Sequence, residues 1–177
     1  MRFCQAVVAT VAVILPISRG SIAQESQPSE YQIKAAFIFN FAKFVEWPST
    51  ALPKANSPMI IGVLGDNPFR DNLEKTIKNR SVEDHPLVIK RFASAAEATN
   101  SHILFISSSE KGQLVEVIKT LEGSTVLTVG EMDEFNEKGG MINFVMEGTK
   151  IRFRINNEAA TRAGLKISSK LLSLASR

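Results

Sequence analysis

Apolar residues recur at helical period near the start of the chain and then gather into short blocks separated by polar turns. Over residues 30–45, Ile33, Phe37, Phe41 and Phe44 recur at spacings of four, four and three, with Ala36 and Val45 widening the stripe. That pattern predicts an amphipathic helix. Trp47-Pro48 ends it, because proline disfavours helical geometry in its predecessor. A loop follows over 48–58. The block 59–64, between Pro58 and Gly65, predicts a buried strand. Asn67 and Pro68 suit the cap and first position of a helix running to about residue 79. Residues 87–92 form a more polar strand whose Lys90 and Arg91 place it near a sheet edge.

A helical turn over 93–98 leads to an apolar strand over 102–106. Ser107 and Glu110 then fit a capping box, opening a helix through Leu114, Val117, Ile118 and Leu121. A strand over 125–129 and a short helix over 131–137 come next. Two strands, 141–146 and 150–155, flank Glu147-Gly148-Thr149, a hairpin signal. A helical region from Asn156 to Leu174, bent near Gly164, closes the chain, with Leu165, Ile167, Leu171, Leu172 and Leu174 as its apolar face. Strands alternating with helices and ending in a hairpin predict a three-layer α/β/α sandwich. Its sheet is mostly parallel, of five to six strands, with a C-terminal antiparallel edge hairpin.

The first 23 residues stand apart. A basic start, an apolar block over 6–17 and the small-x-small end Ser21-Ile22-Ala23 make a secretory signal peptide, with cleavage expected after Ala23. The block is too short for a membrane span, which needs roughly 20 apolar residues. Residues 24–29 are a polar leader, and 30–177 are expected to form one domain. The only cysteine, Cys4, lies inside the signal, so the exported chain has no thiol for disulfide, nucleophilic or metal chemistry. Arg2 and Arg19 leave with the signal, which brings the exported chain close to neutral from a net charge of +3. No basic footprint for nucleic acid remains.

Candidate chemistry is sparse. His85 and His102 are not at metal-ligand spacing; His102 is expected to be a partly buried structural histidine and His85 a solvated turn residue. Ser107–Ser109 sit where open α/β sheets place ligands, but without G-x-S-x-G their capping role outweighs a hydrolase nucleophile. The turn at Gly65-Asp66-Asn67 lacks a phosphate-binding pattern. Glu131, Asp133, Glu134 and Glu137 suit a solvated helix cap better than calcium. Arg152 and Arg154 leave one face of their strand, either as a solvated edge or as a contact for a carboxylate or acidic partner. Asn143, among apolar neighbours in the paired strand, needs a hydrogen-bond partner. No catalytic residue, metal ligand or cofactor is assigned.

Residues 30–48 (EYQIKAAFIFNFAKFVEWP), with the segments 62–69, 139–144 and 163–172, resemble the signature blocks of the YfiR-like family over essentially the whole of 30–175. The resemblance implies a periplasmic α/β protein without known catalytic activity. It implies repression of an inner-membrane diguanylate cyclase through the enzyme's periplasmic sensor region, lowering cyclic di-GMP. It also implies an outer-membrane peptidoglycan-binding lipoprotein that sequesters the repressor, and homodimer formation. Family members carry disulfides; the exported part of this chain has no cysteine, so thiol control is excluded here. Lys43, Trp47, Asn143, Arg152 and Arg154 are the expected partner- or ligand-binding residues. A periplasmic small-molecule binding protein is the alternative.

Overall fold

A computed structural model describes residues 28–52 and 56–176. The signal peptide, its cleavage site and most of the leader lie outside the described residues. Helix α1 (Glu30–Phe44) opens on a capping box between Ser29 and Gln32. Gln32 N–H donates to Ser29 Oγ at 3.3 Å, and Ser29 N–H donates to Gln32 Oε1 at 2.6 Å. The helix stops before Trp47 because the chain turns into β1 (Val45–Glu46). Strand β2 (Met59–Leu64) falls where the apolar block predicts it. Helix α2 (Asn72–Ile77) is shorter than expected: Asn67 Oδ1 accepts from Phe69 N–H at 3.0 Å and makes a turn, so the helix begins only after it.

Strand β3 (Ser81–Val82), unforeseen in the sequence, folds back on β4 (His85–Phe92). A 3-10 turn over Ala96–Asn100 precedes β5 (Ile103–Ile106), and another over Ser108–Gln113 precedes α3 (Leu114–Thr120). The second of these is capped by Ser107 Oγ, but no box closes, because Ser107 N–H donates to Leu64 O at 3.0 Å. Strand β6 (Leu127–Gly130) leads into consecutive turns instead of the expected 131–137 helix. Strands β7 (Ile142–Glu147) and β8 (Lys150–Ile155) form the hairpin. The C-terminal helix is broken into α4 (Asn157–Arg162), β9 (Lys166–Ile167) and α5 (Ser169–Leu174). Gly164, at φ +76°, supplies the left-handed residue that ends α4. Strand β9 pairs antiparallel with β1 in a separate small sheet.

The main sheet has seven strands in the order β3-β4-β2-β5-β6-β7-β8. Neighbours from β4 to β7 are parallel, and β3 and β8 are antiparallel at the two edges. Side chains alternate between two cores, as a sheet covered on both faces requires. Ile103 and Phe105 of β5 meet Ile38 and Phe41 of α1 and Leu73 of α2 in one apolar layer. Leu104 and Ile106 meet Leu114, Val117 and Phe135 in the other. This is the predicted α/β sandwich, with seven strands instead of the expected five to six because β3 adds a short antiparallel edge.

Burial corrects the phase of the first helix. Its inner face is Lys34, Ala35, Ile38, Phe41 and Ala42, while Ala36 is exposed and Phe37 and Phe44 are half-buried. The face is rotated by about one position because Phe37 leans on Phe153 from the side, ring centroids 5.4 Å apart. Leu172 and Leu174, expected on the apolar face, are exposed, and Leu171 is the residue α5 buries.

The turns after β6 are shaped by Phe135, which is fully buried against two glycines. A Cβ on Gly140 would lie 2.2 Å from the Phe135 ring, and one on Gly130 would lie 2.5 Å from it. Gly140→Ala should therefore destabilise the protein by about 1–3 kcal/mol in urea unfolding, through overpacking. Adding Phe135→Leu should recover part of that loss.

Candidate functional site

Lys34, on the inner face of α1, is a lysine with a nearly fully buried side chain. Its ammonium pairs with Glu30, one helical turn back, and with Glu131 Oε2 at 2.5 Å, just past the end of β6. Tyr31 O–H donates to Glu131 Oε1 at 3.0 Å. The ammonium also lies 4.7 Å from the Tyr31 ring centre. Glu131 is thus held by two groups of one helix, and the segment entering the turns is pinned to α1. The expectation of a solvated acidic cap fails for Glu131. Asp133 and Glu134 are exposed and paired with Lys111 at 3.5 Å and Lys138 at 3.0 Å.

Beyond this knot a concave groove of about 710 Å³ opens at the carboxyl ends of β6 and β7. Tyr31, Lys34 and Glu131 line one side, Asp133, Glu134 and Glu137 another, and Phe144, Met146 and Arg154 the hairpin wall. Asn143 carries out its hydrogen bonding inside the fold. Its Oδ1 accepts from Met132 N–H at 3.1 Å and its Nδ2 donates to Met132 O at 2.9 Å. One side-chain amide thereby takes the place of a further strand residue and holds the groove's loop wall in position.

The five residues expected to bind do not form one site. Arg154 stands opposite Asn143 in the β7–β8 register, and Arg152 stands opposite Val145, so all lie on one face of the hairpin. Arg152 is loosely paired with Glu147 at 3.8 Å, and Arg154 has no ion pair among the described residues. Lys43 and Trp47 lie towards the far end of α1. Lys43 is nine residues beyond Lys34, about 14 Å of helical rise. It is exposed, with its ammonium 5.7 Å from the Phe39 ring centre. Trp47 is half-buried; its indole N–H donates to His102 O at 3.3 Å, at the amino end of β5.

The histidines serve the same end of the sheet. Ile60 N–H donates to His102 Nδ1 at 2.9 Å, so Nε2 carries the proton and donates to Ala51 O at 3.2 Å. Burial pushes the His102 pKa below its usual range. His85 is buried, contrary to expectation, because its Nδ1–H donates to Ser57 O at 2.8 Å. Ser107–Ser109 lie at the opposite end of β5. Ser107 Oγ accepts from Ser109 N–H at 3.4 Å and Ser109 Oγ accepts from Asp66 N–H at 3.0 Å, so both serve the backbone. Among the described residues no group of three His, Cys, Asp or Glu side chains is arranged to hold a metal ion. No described helix is long and apolar enough to cross a membrane.

From the sequence Lys34 has no assigned role and Glu131 reads as part of a solvated cap. The Glu30–Lys34 spacing is a visible i,i+4 pair, but the partner 97 residues away leaves no local trace.

The fold and groove define an α/β sandwich with a concave, charged site at the carboxyl ends of its strands. A family model described as YfiR/HmsC-like matches residues 31–176, and the chain belongs to that family. The family is periplasmic and regulatory, and acts on diguanylate cyclases. Among curated proteins none matches. A solved structure with a similar fold is a conserved domain protein from Vibrio cholerae O1 biovar El Tor, at 14% identity and a TM-score of 0.55. The match covers 84% of this chain and 60% of that one, so this chain spans less than two thirds of that protein's length.

Two measurements test the knot. Tyr31 is the chain's only tyrosine, so ultraviolet titration reads it alone. Its pKa should be near 12, raised by burial and by the Glu131 carboxylate, and should fall in Glu131→Gln. Raised above its unfolded value near 10, the neutral phenol contributes stability below pH 10, and this is lost as pH climbs towards 12. Lys34→Ala leaves Glu131 buried without its cation and should cost about 3 kcal/mol in urea unfolding. Lys34→Met combined with Glu131→Gln should restore much of it.

Proposed function

We propose that this chain is a periplasmic repressor that binds the periplasmic sensor region of an inner-membrane diguanylate cyclase and lowers cyclic di-GMP. The observation that carries the reading is membership of a regulatory family over nearly the whole described chain. The groove and the arginine-bearing hairpin beside it support it further. Arg152 and Arg154 are exposed on one face, where planar guanidiniums suit bidentate recognition of carboxylates. The control is a population shift: the repressor stabilises the cyclase's inactive conformation by binding it more tightly than the active one. An outer-membrane peptidoglycan-binding lipoprotein competing for the repressor would release the cyclase by the same arithmetic.

A second reading, a small-molecule binding protein, is favoured by a separate cavity of about 380 Å³ between α3 and α4. Leu121, Val126 and Met141 line it, with Lys138 and Arg162 also on its lining. A ligand there would raise the melting temperature by mass action. The two readings are compatible if the ligand tunes partner binding.

Deleting the gene should raise cyclic di-GMP and biofilm formation. Complementation with the wild-type chain should reverse both, and Arg152→Glu with Arg154→Glu should fail to. Unchanged cyclic di-GMP on deletion would overturn the proposal. Full cyclase capture by Trp47→Ala and Arg152→Ala together would remove those residues from the interface.

A further inference from the structure

Strand β7 outruns its parallel neighbour. It pairs with β8 along all six residues, Ile142 to Glu147, but with β6 only at Ile142 and Asn143. Asn156 N–H donates to Met141 O at 2.7 Å, which sets the phase of the antiparallel ladder. Met141, Asn143, Val145 and Glu147 therefore turn their backbone groups towards β8, and Phe144 and Met146 turn theirs away from it. Past the last β6 residue, the C=O of Phe144 and both the N–H and C=O of Met146 face the groove. No strand among the described residues pairs with β7 there. Residues 144–147 make an open edge of about 13 Å.

The two faces of this edge differ. Phe144 and Met146 share the α1 side. Phe144 is buried, while Met146 is 54% exposed, an apolar side chain left at the groove. On the other side Arg154 and Arg152 stand opposite Asn143 and Val145. Of the groove's carboxylates, Glu30 and Glu131 pair with the buried Lys34, and Asp133 and Glu134 make exposed pairs with Lys111 and Lys138. Glu137 has no ion pair among the described residues. It adjoins Asn136, whose amide donates to Gly140 O and Met141 O, below the last β6–β7 pair. Arg152 stands above that pair, opposite Val145 and one strand across β7 from the open edge.

We propose that this edge takes an extended segment of the regulated partner as an added strand in the line of β6. Its alternate residues would be apolar towards Met146 and acidic towards Arg152 and Arg154. Backbone pairing supplies affinity, and the alternating side chains supply selectivity. The inference rests on the regulator reading and names the chemistry of its contact. Natural sheets cover, shorten or charge their edges to prevent such pairing. Here the edge is uncovered and lies within a groove, where a narrow segment can reach it and a broad surface cannot.

The probe is a blocked nine-residue peptide alternating valine and glutamate, titrated by fluorescence polarisation against the full-length exported protein. It should bind, and slow hydrogen exchange of the Met146 amide at least tenfold. A valine–lysine peptide, Arg154→Glu, and N-methylation of alternate peptide amides should each weaken binding about tenfold, the loss expected for a charge-assisted contact or a few backbone bonds. Met146→Pro removes the outward N–H without touching the β8 ladder and should weaken binding similarly, with unfolding curves checking its fold. The N-methylated peptide keeps the test decisive if that variant misfolds. No binding, equal binding of the lysine or N-methylated peptides, or an unprotected Met146 amide would overturn the proposal. So would a dimer that Met146→Pro dissolves, because a second copy would then be the occupant. Normal cyclase repression by a folded Met146→Pro sinks the edge and spares the regulator. A cyclase indifferent to the wild-type chain sinks the regulator, whatever the peptide does.

Discussion

The buried ammonium of Lys34 is the constraint on which the groove end of this protein depends. An uncompensated charge inside a protein costs several kcal/mol, so Lys34 must keep its carboxylates. Glu30 comes from its own helix, one turn back. Glu131 comes from the end of β6, and Tyr31 fills the second oxygen of that carboxylate. Satisfying one lysine therefore fixes where α1 sits over the sheet and where the chain must leave it.

The groove follows from that departure. Glu131 is drawn to one face of the sheet by Lys34. Met132 is drawn towards the other by the Asn143 amide, and Phe135 is packed there against Gly130 and Gly140. β6 cannot continue, and β7 runs on without it. A sheet edge is thus opened in the interior of the strand order instead of at its margin. The margins are treated differently. At one, β3 covers the first residues of β4. At the other, Ser176 N–H donates to Phe153 O of β8 at 2.8 Å.

The opposite end of the sheet has a separate logic. Trp47, His102 and His85 spend their polar groups on the backbone of the connection between α1 and β2 and on the start of β5. Lys43 and Trp47 are therefore far from the arginines of the hairpin, although both sets carry the side-chain types that interfaces favour. Residue type identified both groups; only the tertiary structure places Lys43 and Trp47 towards one end of the sheet and Arg154 at the groove of the other.

What the sequence determined by itself was local and periodic. The strand over 59–64, the β7–β8 hairpin, the extent of α1 and the shared face of Arg152 and Arg154 follow from apolar spacing, proline and turn residues, which act over a few positions. The alternation of these elements was enough for an α/β sandwich, and the motif blocks were enough for the family. Residues 131–137 read as a short helix, with Glu131, Asp133, Glu134 and Glu137 as its solvated acidic cap. In the fold Glu131 is claimed by a lysine 97 residues earlier, and Phe135 by two glycines. The phase of α1, the burial of Lys34 and His85, the division of the C-terminal segment and the open edge of β7 were decided by tertiary structure alone. Each depends on a partner distant in sequence, and the free energy of burying a charge or pairing a backbone group exists only once that partner has arrived.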